Sequence, residues 1–293
     1  MDFNDDGRIV KSNFQCLINA GSSTDISVVW TQLFLIRMDS GYTLKNFHGV
    51  ATVCKTNTPS NTSFRGFGGP EGAIVIENVM ERIAHVLDKE PNTVKEANLT
   101  LSEDRPHYGA TVFKECNVKA CWEECKKQAK YSEKVKEIEA FNKADSNGVI
   151  KRGVTMTPMK FSVTMGLKFA NQAGAFVNIY GDGSVYVSHG GIEMGQGLHT
   201  KMIQVASRAL GIPHELIHIV ETSSEIVPNA SPSGGSVGAD FNGAAIIEAC
   251  KTLNQRLEPF KAENRTWEET IMAAYMERVN LSATGQWIKK HHF

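Results

Sequence analysis

The 293-residue chain has little of what would commit it to a specialised class. Six cysteines are too sparse, at this length, for a disulfide scaffold. No apolar run approaches the roughly 18 residues that a bilayer-crossing helix needs. The start, Met1-Asp2-Phe3-Asn4-Asp5-Asp6, has neither the basic opening nor the apolar core of a secretory leader. The N-x-S/T sequons opened by Asn61, Asn98, Asn229, Asn264 and Asn280 are therefore expected to stay idle in a cytoplasmic protein. Neither sign of charge dominates. Lys and Arg number 31 against 32 Asp and Glu, which leaves no basic field for nucleic acid or an anionic membrane. Internal repeats and low-complexity segments are missing as well. With 41% hydrophobic and 22% charged residues, what remains is an ordinary globular composition, long enough for one large domain or two modest ones.

The pattern along the chain predicts an α+β (mixed α/β) fold. Residues 1–55 read as strands and turns, with Asp6-Gly7 a hairpin turn and Ile26 to Met38 a mixed apolar stretch. Ile74, Val75, Val79, Ile83 and Val86-Leu87 mark a helix with one broad apolar face, closed by Pro91. A polar connection over 100–115 leads to a Lys- and Glu-rich helical stretch at about 117–143. The character changes after Asn147-Gly148. Strands from Gly174 to Val187 flank Gly181-Asp182-Gly183, a hairpin signal. An amphipathic helix from Leu198 to Leu210 stops at Gly211 and Pro213. Ile217 to Val220 is a short strand, and a helix of about 20 residues follows Gly238, bearing Ala244, Ile247, Cys250, Leu253 and Leu257.

Three glycine-rich turns precede helices: Gly66 to Gly72, Gly190 to Gly197, and Ser233 to Gly238. Such turns bring backbone N–H groups close to an anion, where the helix dipole favours negative charge. Each can equally be a structural strand-to-helix turn. None matches a P-loop or a dinucleotide fingerprint. Three in one chain point to a phosphate-bearing ligand, and pattern goes no further. Other features read as structure. Asp2-x-Asn4-x-Asp6-Gly7 imitates the start of a calcium loop, but Asn13 stands where a Glu is needed. Cys116, Cys121 and Cys125 lack CxxC spacing, so packing is preferred over zinc. His291-His292 is terminal and carries no expected role.

Longer strings are more telling. Lys55 through Pro70, with Phe64-Arg65-Gly66-Phe67-Gly68-Gly69-Pro70, resembles a signature of the molybdenum hydroxylases, the xanthine dehydrogenase and aldehyde oxidase family. That family usually has Gln after the proline, where this chain has Glu71. Val187 through Met202, including Glu193-Met194-Gly195-Gln196-Gly197, is similar to a second signature, and Val227 through Asp240 to a third. The resemblance runs from about residue 5 to about 284.

What the resemblance implies is part of a two-domain molybdopterin-binding region. Residues 1–100 would be the C-terminal part of its first domain, 101–150 a helical connection, and 151–293 the N-terminal part of the second. The family hydroxylates carbon with water-derived oxygen, and molybdenum is held by the pterin dithiolene, so no metal-ligating side chain is expected. By resemblance, Arg65, Met194, Gly195 and Gln196 contact the cofactor. Ser233, Gly234, Gly235, Ser236, Val237 and Gly238 wrap its phosphate end. Gln196 would hydrogen-bond an oxygen on molybdenum, and Phe67 would stack on a planar substrate.

The departures bear on substrate. Leu33 falls where xanthine dehydrogenases carry an arginine, Met165-Gly166 where they have Phe-Thr, and Gly234-Gly235 where they usually have two alanines. Leu33, Phe67, Met165 and Gly166 would then line an apolar pocket of the aldehyde oxidase type, suited to aldehydes and heterocycles. Loss of a charged contact costs about 1.5–3 kcal/mol. The Gly-Glu-Pro segment that holds the family's glutamate base does not occur in this sequence. The FAD and 2Fe-2S domains of the full-length family have no counterpart here. The expectation is accordingly a fragment without turnover of its own, with unpaired sheet edges and poor solubility. The alternative is a non-catalytic protein that binds cofactor or pairs with itself or with full-length subunits.

Overall fold

The computed structural model describes residues 1–109, 114–144, 148–262 and 264–289. Asn147 and His291-His292, singled out above, lie outside them. The chain divides into two compact units, Met1–Phe161 and the residues from Ser162 onward.

In the first unit, β1 (Asp2–Phe3) and β2 (Ile9–Gly21) form an antiparallel hairpin. The residues that imitate a calcium loop make its turn: Gly7 has φ 88°, and the Asp6 carboxylate accepts the Arg8 N–H at 3.1 Å. β2 then pairs in parallel with β3 (Phe47–Lys55). A parallel pair needs a crossover, and α1 (Ser27–Arg37) supplies it. This corrects the reading of 1–55 as strands and turns. The β-branched run through Ile26, Val28, Val29 and Thr31 favours a strand locally. The buried stripe of the helix is Ser27, Thr31, Phe34 and Arg37, which no apolar periodicity marks.

α2 (Gly69–Val86) has its expected place but a different inner face. Gly72, Ala73, Ile76, Met80, Ile83 and Ala84 are buried, whereas Ile74 and Val86 are 63% and 69% exposed. Small residues in the first turns let the helix approach α1, and this fixes the rotation against the bulkier residues. Pro91 does not close that helix. It opens α3 (Pro91–Asn98), whose first turn is capped by the Glu90 carboxylate accepting from Thr93 N–H at 3.0 Å. The stretch at 117–143 is two helices, α4 (Val118–Gln128) and α5 (Tyr131–Lys143), broken at Lys130 with φ 49°. Trp122 and Tyr131 tie them to a core of Ile9, Tyr42, Ile76, Met80 and Val94. Beside that core the fully buried Lys95 ammonium meets Glu77 and Glu81, each at 2.9 Å, and the Met156 carbonyl at 3.1 Å. Burial pulls the Lys95 pKa down, but the two carboxylates outweigh it and the net direction is up.

The second unit carries a four-stranded sheet in the order β6-β5-β4-β7. β4 (Gln172–Ile179) and β5 (Val185–His189) form the expected hairpin, where Asp182 accepts from the Ser184 N–H (3.0 Å) and hydroxyl (2.7 Å). β6 (Ile217–Ile219) lies parallel to β5. β7 (Ser282–Ile288) pairs antiparallel with β4 as far as Ile288. α6 (Leu198–Leu210) and α7 (Gly238–Leu257) match the predicted spans, and Gly211 ends α6 at φ 74°. In α7, Cys250, Leu253 and Leu257 are buried as expected, but Ala245 and Ile246 take the inward positions and Ile247 is 47% exposed. α8 (Trp267–Met276), not anticipated from periodicity, begins with a capping box between Thr266 and Glu269. Among the described residues no helix is long and apolar enough to cross a membrane.

Candidate functional site

In the first unit the expected site residues sit on the turn that launches α2. Gly66, Phe67 and Gly68 have φ values of 95°, 41° and 85°, three consecutive left-handed residues. Phe67 bears a cost there that glycine would not. A side chain at Gly68 would place its Cβ 2.7 Å from the Phe34 nitrogen, so only glycine lets the turn rest on α1. Two carbonyls consequently point the same way, and Arg37 takes both. Its Nη1 donates to Gly66 O at 3.0 Å and Phe67 O at 2.9 Å, and the guanidinium lies 4.3 Å over the Phe161 ring. Arg37 is buried, its pKa is lowered by that burial, and no carboxylate pairs with it among the described residues. Arg65 is exposed and makes no hydrogen bond or ion pair among the described residues. Phe67 and Leu33 are half-buried.

The second unit contains the other two turns, bound to each other. The Ile192 N–H donates to Ser233 Oγ at 2.8 Å, linking Gly190–Gly197 to Ser233–Gly238. The Glu193 carboxylate folds back into the first of these. Oε1 accepts from Gly195 N–H (2.9 Å) and Gly197 N–H (3.0 Å), and Oε2 from His199 N–H (3.1 Å). These bonds, led by that from His199, hold Glu193 below the usual carboxylate range. Gln196 spans the same turn, accepting from Met194 N–H at 2.6 Å and donating to Ile192 O at 2.7 Å. Beneath lies His189, fully buried. Its Nδ1 accepts the Gly191 N–H (3.1 Å), so its Nε2 is left as the donor to His199 Nδ1, also at 3.1 Å. Burial first, then the neighbouring His199, pushes the His189 pKa down to about 4.

The α7 start is different. Val237 leads into it without any side-chain cap, and Ser236 and Gly235 have φ values of 59° and 60°. Gly235 O accepts Thr164 N–H at 3.1 Å, and a Cβ on Gly235 would fall 2.6 Å from Thr164 O. Met165 packs against this pair of glycines, while Gly166 has open space at its Cα. Met165-Gly166 is held by the buried Asn171, which accepts from Met165 N–H (2.9 Å) and donates to the Met165 (2.8 Å) and Leu167 (2.9 Å) carbonyls.

The second unit thus gathers Met165, Gly166, Met194 to Gln196 and Ser233 to Gly238, and the first gathers Arg65 and Phe67 beside the helix that bears Leu33. Arg37, Asn171, Glu193 and the His189–His199 pair were not identified from sequence. A lone charge in the apolar run Leu35-Ile36-Arg37-Met38 was the one available signal. Among the described residues no group of three or more His, Cys, Asp or Glu could hold a metal.

Two models described as molybdopterin cofactor-binding domains match the chain, one over residues 1–99 and one over 124–293. Xanthine dehydrogenase of Drosophila subobscura is 45% identical over 285 residues, which is 97% of this chain and 21% of that protein. Xanthine dehydrogenase/oxidase of Felis catus is 44% identical over 95% of the chain, and aldehyde oxidase 2 of Macaca fascicularis 42% over 97%, again 21% of each relative. The chain therefore spans about a fifth of the length of the curated relatives it matches. Among solved structures, the aldehyde oxidoreductase of Desulfovibrio desulfuricans superposes with TM-score 0.75 at 23% identity, covering 95% of this chain and 30% of that one. Quinoline 2-oxidoreductase of Pseudomonas putida gives 0.76 at 19%, covering 98% and 42%.

Proposed function

This chain belongs to the molybdopterin cofactor-binding domain family, and on that premise we propose that its second unit seats the phosphate end of the pterin at the start of α7. The observation that carries the reading is the contrast between two helix starts. The N–H groups before α6 are already taken by Glu193, whereas those of α7 have no side-chain cap and follow a glycine turn that accommodates close approach. The residues fit the group: an anion is matched by a helix start and its dipole, and among the described residues no side chain caps that start, Asp240 of the first turn included.

Gln196 uses one amide hydrogen on Ile192 O, so its second N–H is the donor it offers to the cofactor. Arg65, exposed and unpaired among the described residues, offers a charge-assisted bond. When bound, the cofactor supplies the oxidising metal centre for hydroxylation of carbon with oxygen from water. Phe67, its backbone held by Arg37, presents a ring to a planar substrate. Leu33 in the first unit, and Met165 and Gly166 in the second, are each apolar or small, the pattern expected for aldehydes or N-heterocycles rather than for an anionic purine. Relatives of both kinds are 42–45% identical over the chain, so the preference rests on those positions and not on the scaffold. Without a Gly-Glu-Pro segment in its 293 residues, the chain alone is expected to bind cofactor and not to turn over.

Molybdenum and pterin analysis of the purified chain tests this. Stoichiometric cofactor that falls severalfold in Gln196→Ala supports the reading. A chain that folds cooperatively and binds neither pterin nor molybdenum overturns it.

A further inference from the structure

We propose that a cleft in the first unit, bounded by the end of β2, the first turn of α1 and the Asn61–Glu71 segment, binds a small planar organic cation of the amidinium class. The cleft encloses about 170 Å³ and is lined by Ile18, Asn19, Ser27, Trp30, Phe64 and Glu71, among others. Most polar groups there have partners. The Asn19 carboxamide oxygen accepts from Gly21 N–H (3.0 Å) and the Thr56 hydroxyl (2.6 Å), and Asn61 donates to the Asn19 carbonyl at 2.9 Å. Glu71 is the exception: its Oε2 is buried and receives no hydrogen bond, and no cation pairs with the residue among the described ones. Glu71 thus lines the cleft as a carboxylate whose charge no donor or cation among the described residues offsets, one of its oxygens being closed off by protein.

The wall beside it is aromatic. Trp30 is fixed by stacking on Phe34, with ring centroids 5.4 Å apart and an interplanar angle of 7°. Tryptophan is the side chain whose face attracts cations most strongly. A carboxylate unpaired among the described residues, in a cleft that also holds an indole, selects a group that carries positive charge, N–H donors and a flat shape together. The size agrees. The volume is below the roughly 300–1,000 Å³ of drug-sized sites, which restricts the occupant to about one ring. A neutral amide would satisfy the hydrogen bond but leave the charge of Glu71 unpaired, so a cation is favoured. The family string has Gln where this chain has Glu71, so the charge is a feature of this sequence. The inference lies wholly within the first unit and does not rest on the cofactor reading.

Benzamidine is a suitable probe, with benzamide as its neutral analogue. Each is titrated into the purified full chain while tryptophan fluorescence and ligand-observed NMR are recorded. The expected result is saturable benzamidine binding, at least tenfold weaker for benzamide and for Glu71→Gln, with the fluorescence change lost in Trp30→Phe. Equal affinity in Glu71→Gln, given an unchanged thermal melt, overturns the proposal, as does the absence of saturable binding to the wild type. Should Glu71→Gln fail to fold, Trp30→Phe decides the matter: an undiminished fluorescence change there also overturns it.

Discussion

The starts of α6 and α7 are built from similar material, a strand or loop ending in glycines before a helix, yet one is closed and the other open. At α6 the chain supplies its own anion, and three N–H groups converge on Glu193. At α7 a glycine turn of the same kind has no internal cap, and its geometry is set from outside by Thr164 and by the bond between Ile192 and Ser233. Glycine before a helix therefore marks a place where an anion can sit, and side chains decide whether that anion is the protein's own. Closed by Glu193, the first turn is a rigid support for Gln196.

The comparison can be broken most severely at Gly235. Gly235→Val adds a Cβ against Thr164 O at a left-handed backbone position, and a loss of about 3 kcal/mol is expected, read as a lower midpoint in chemical denaturation together with loss of bound pterin. The closed side is next. His189 titrates near 4 in the folded chain against 6.5 ordinarily, so the unfolded state takes up its proton first. Stability is whole above pH 6.5 and drains as the pH falls towards 4, by about 3 kcal/mol at most. His199 and Glu193 are the titratable neighbours on the turn, and His189→Gln should flatten that slope in pH-dependent melts. In the first unit, Arg37→Met removes the donor shared by Gly66 O and Phe67 O and should cost about 2 kcal/mol, with Arg37→Lys recovering part of it in the same denaturation assay. The smallest effect sharpens the contrast. Glu193→Ala should open the α6 start, so that inorganic phosphate titrated against the chain by NMR perturbs amides at Gly195, Gly197 and His199 that it leaves unmoved in the wild type.

The second unit was largely legible because its signals are local. Glycine and aspartate at 181–183 specify a hairpin, and apolar residues every three to four positions specify α6 and α7. α1 was hidden because its inward stripe is Ser27, Thr31, Phe34 and Arg37, while the apolar Val28 and Val29 face outward. In α2 and α7 the helices were found and their rotation only in part, since several inward positions (Gly72, Ala73 and Ala84; Gly243, Ala245 and Ala249) are small residues whose value lies in close approach rather than hydrophobicity. The glycine turns were evident in the sequence. That Glu193 folds back, that Asn171 grips Met165, and that Arg37 spans two carbonyls are facts of side-chain reach that spacing does not encode.

The strand order of the second sheet has a bearing on how the protein is made. β7, the last strand in the sequence order of that sheet, lies at its edge beside β4, the first, so this pairing joins residues 172–178 to 282–288. On a ribosome β4 would be synthesised more than a hundred residues before β7. The strands of the first unit are all synthesised by Lys55, and it can condense early. The second must wait with one edge of β4 bare, which makes the interval of translation between Ile179 and Ser282 the time when this chain most needs a chaperone.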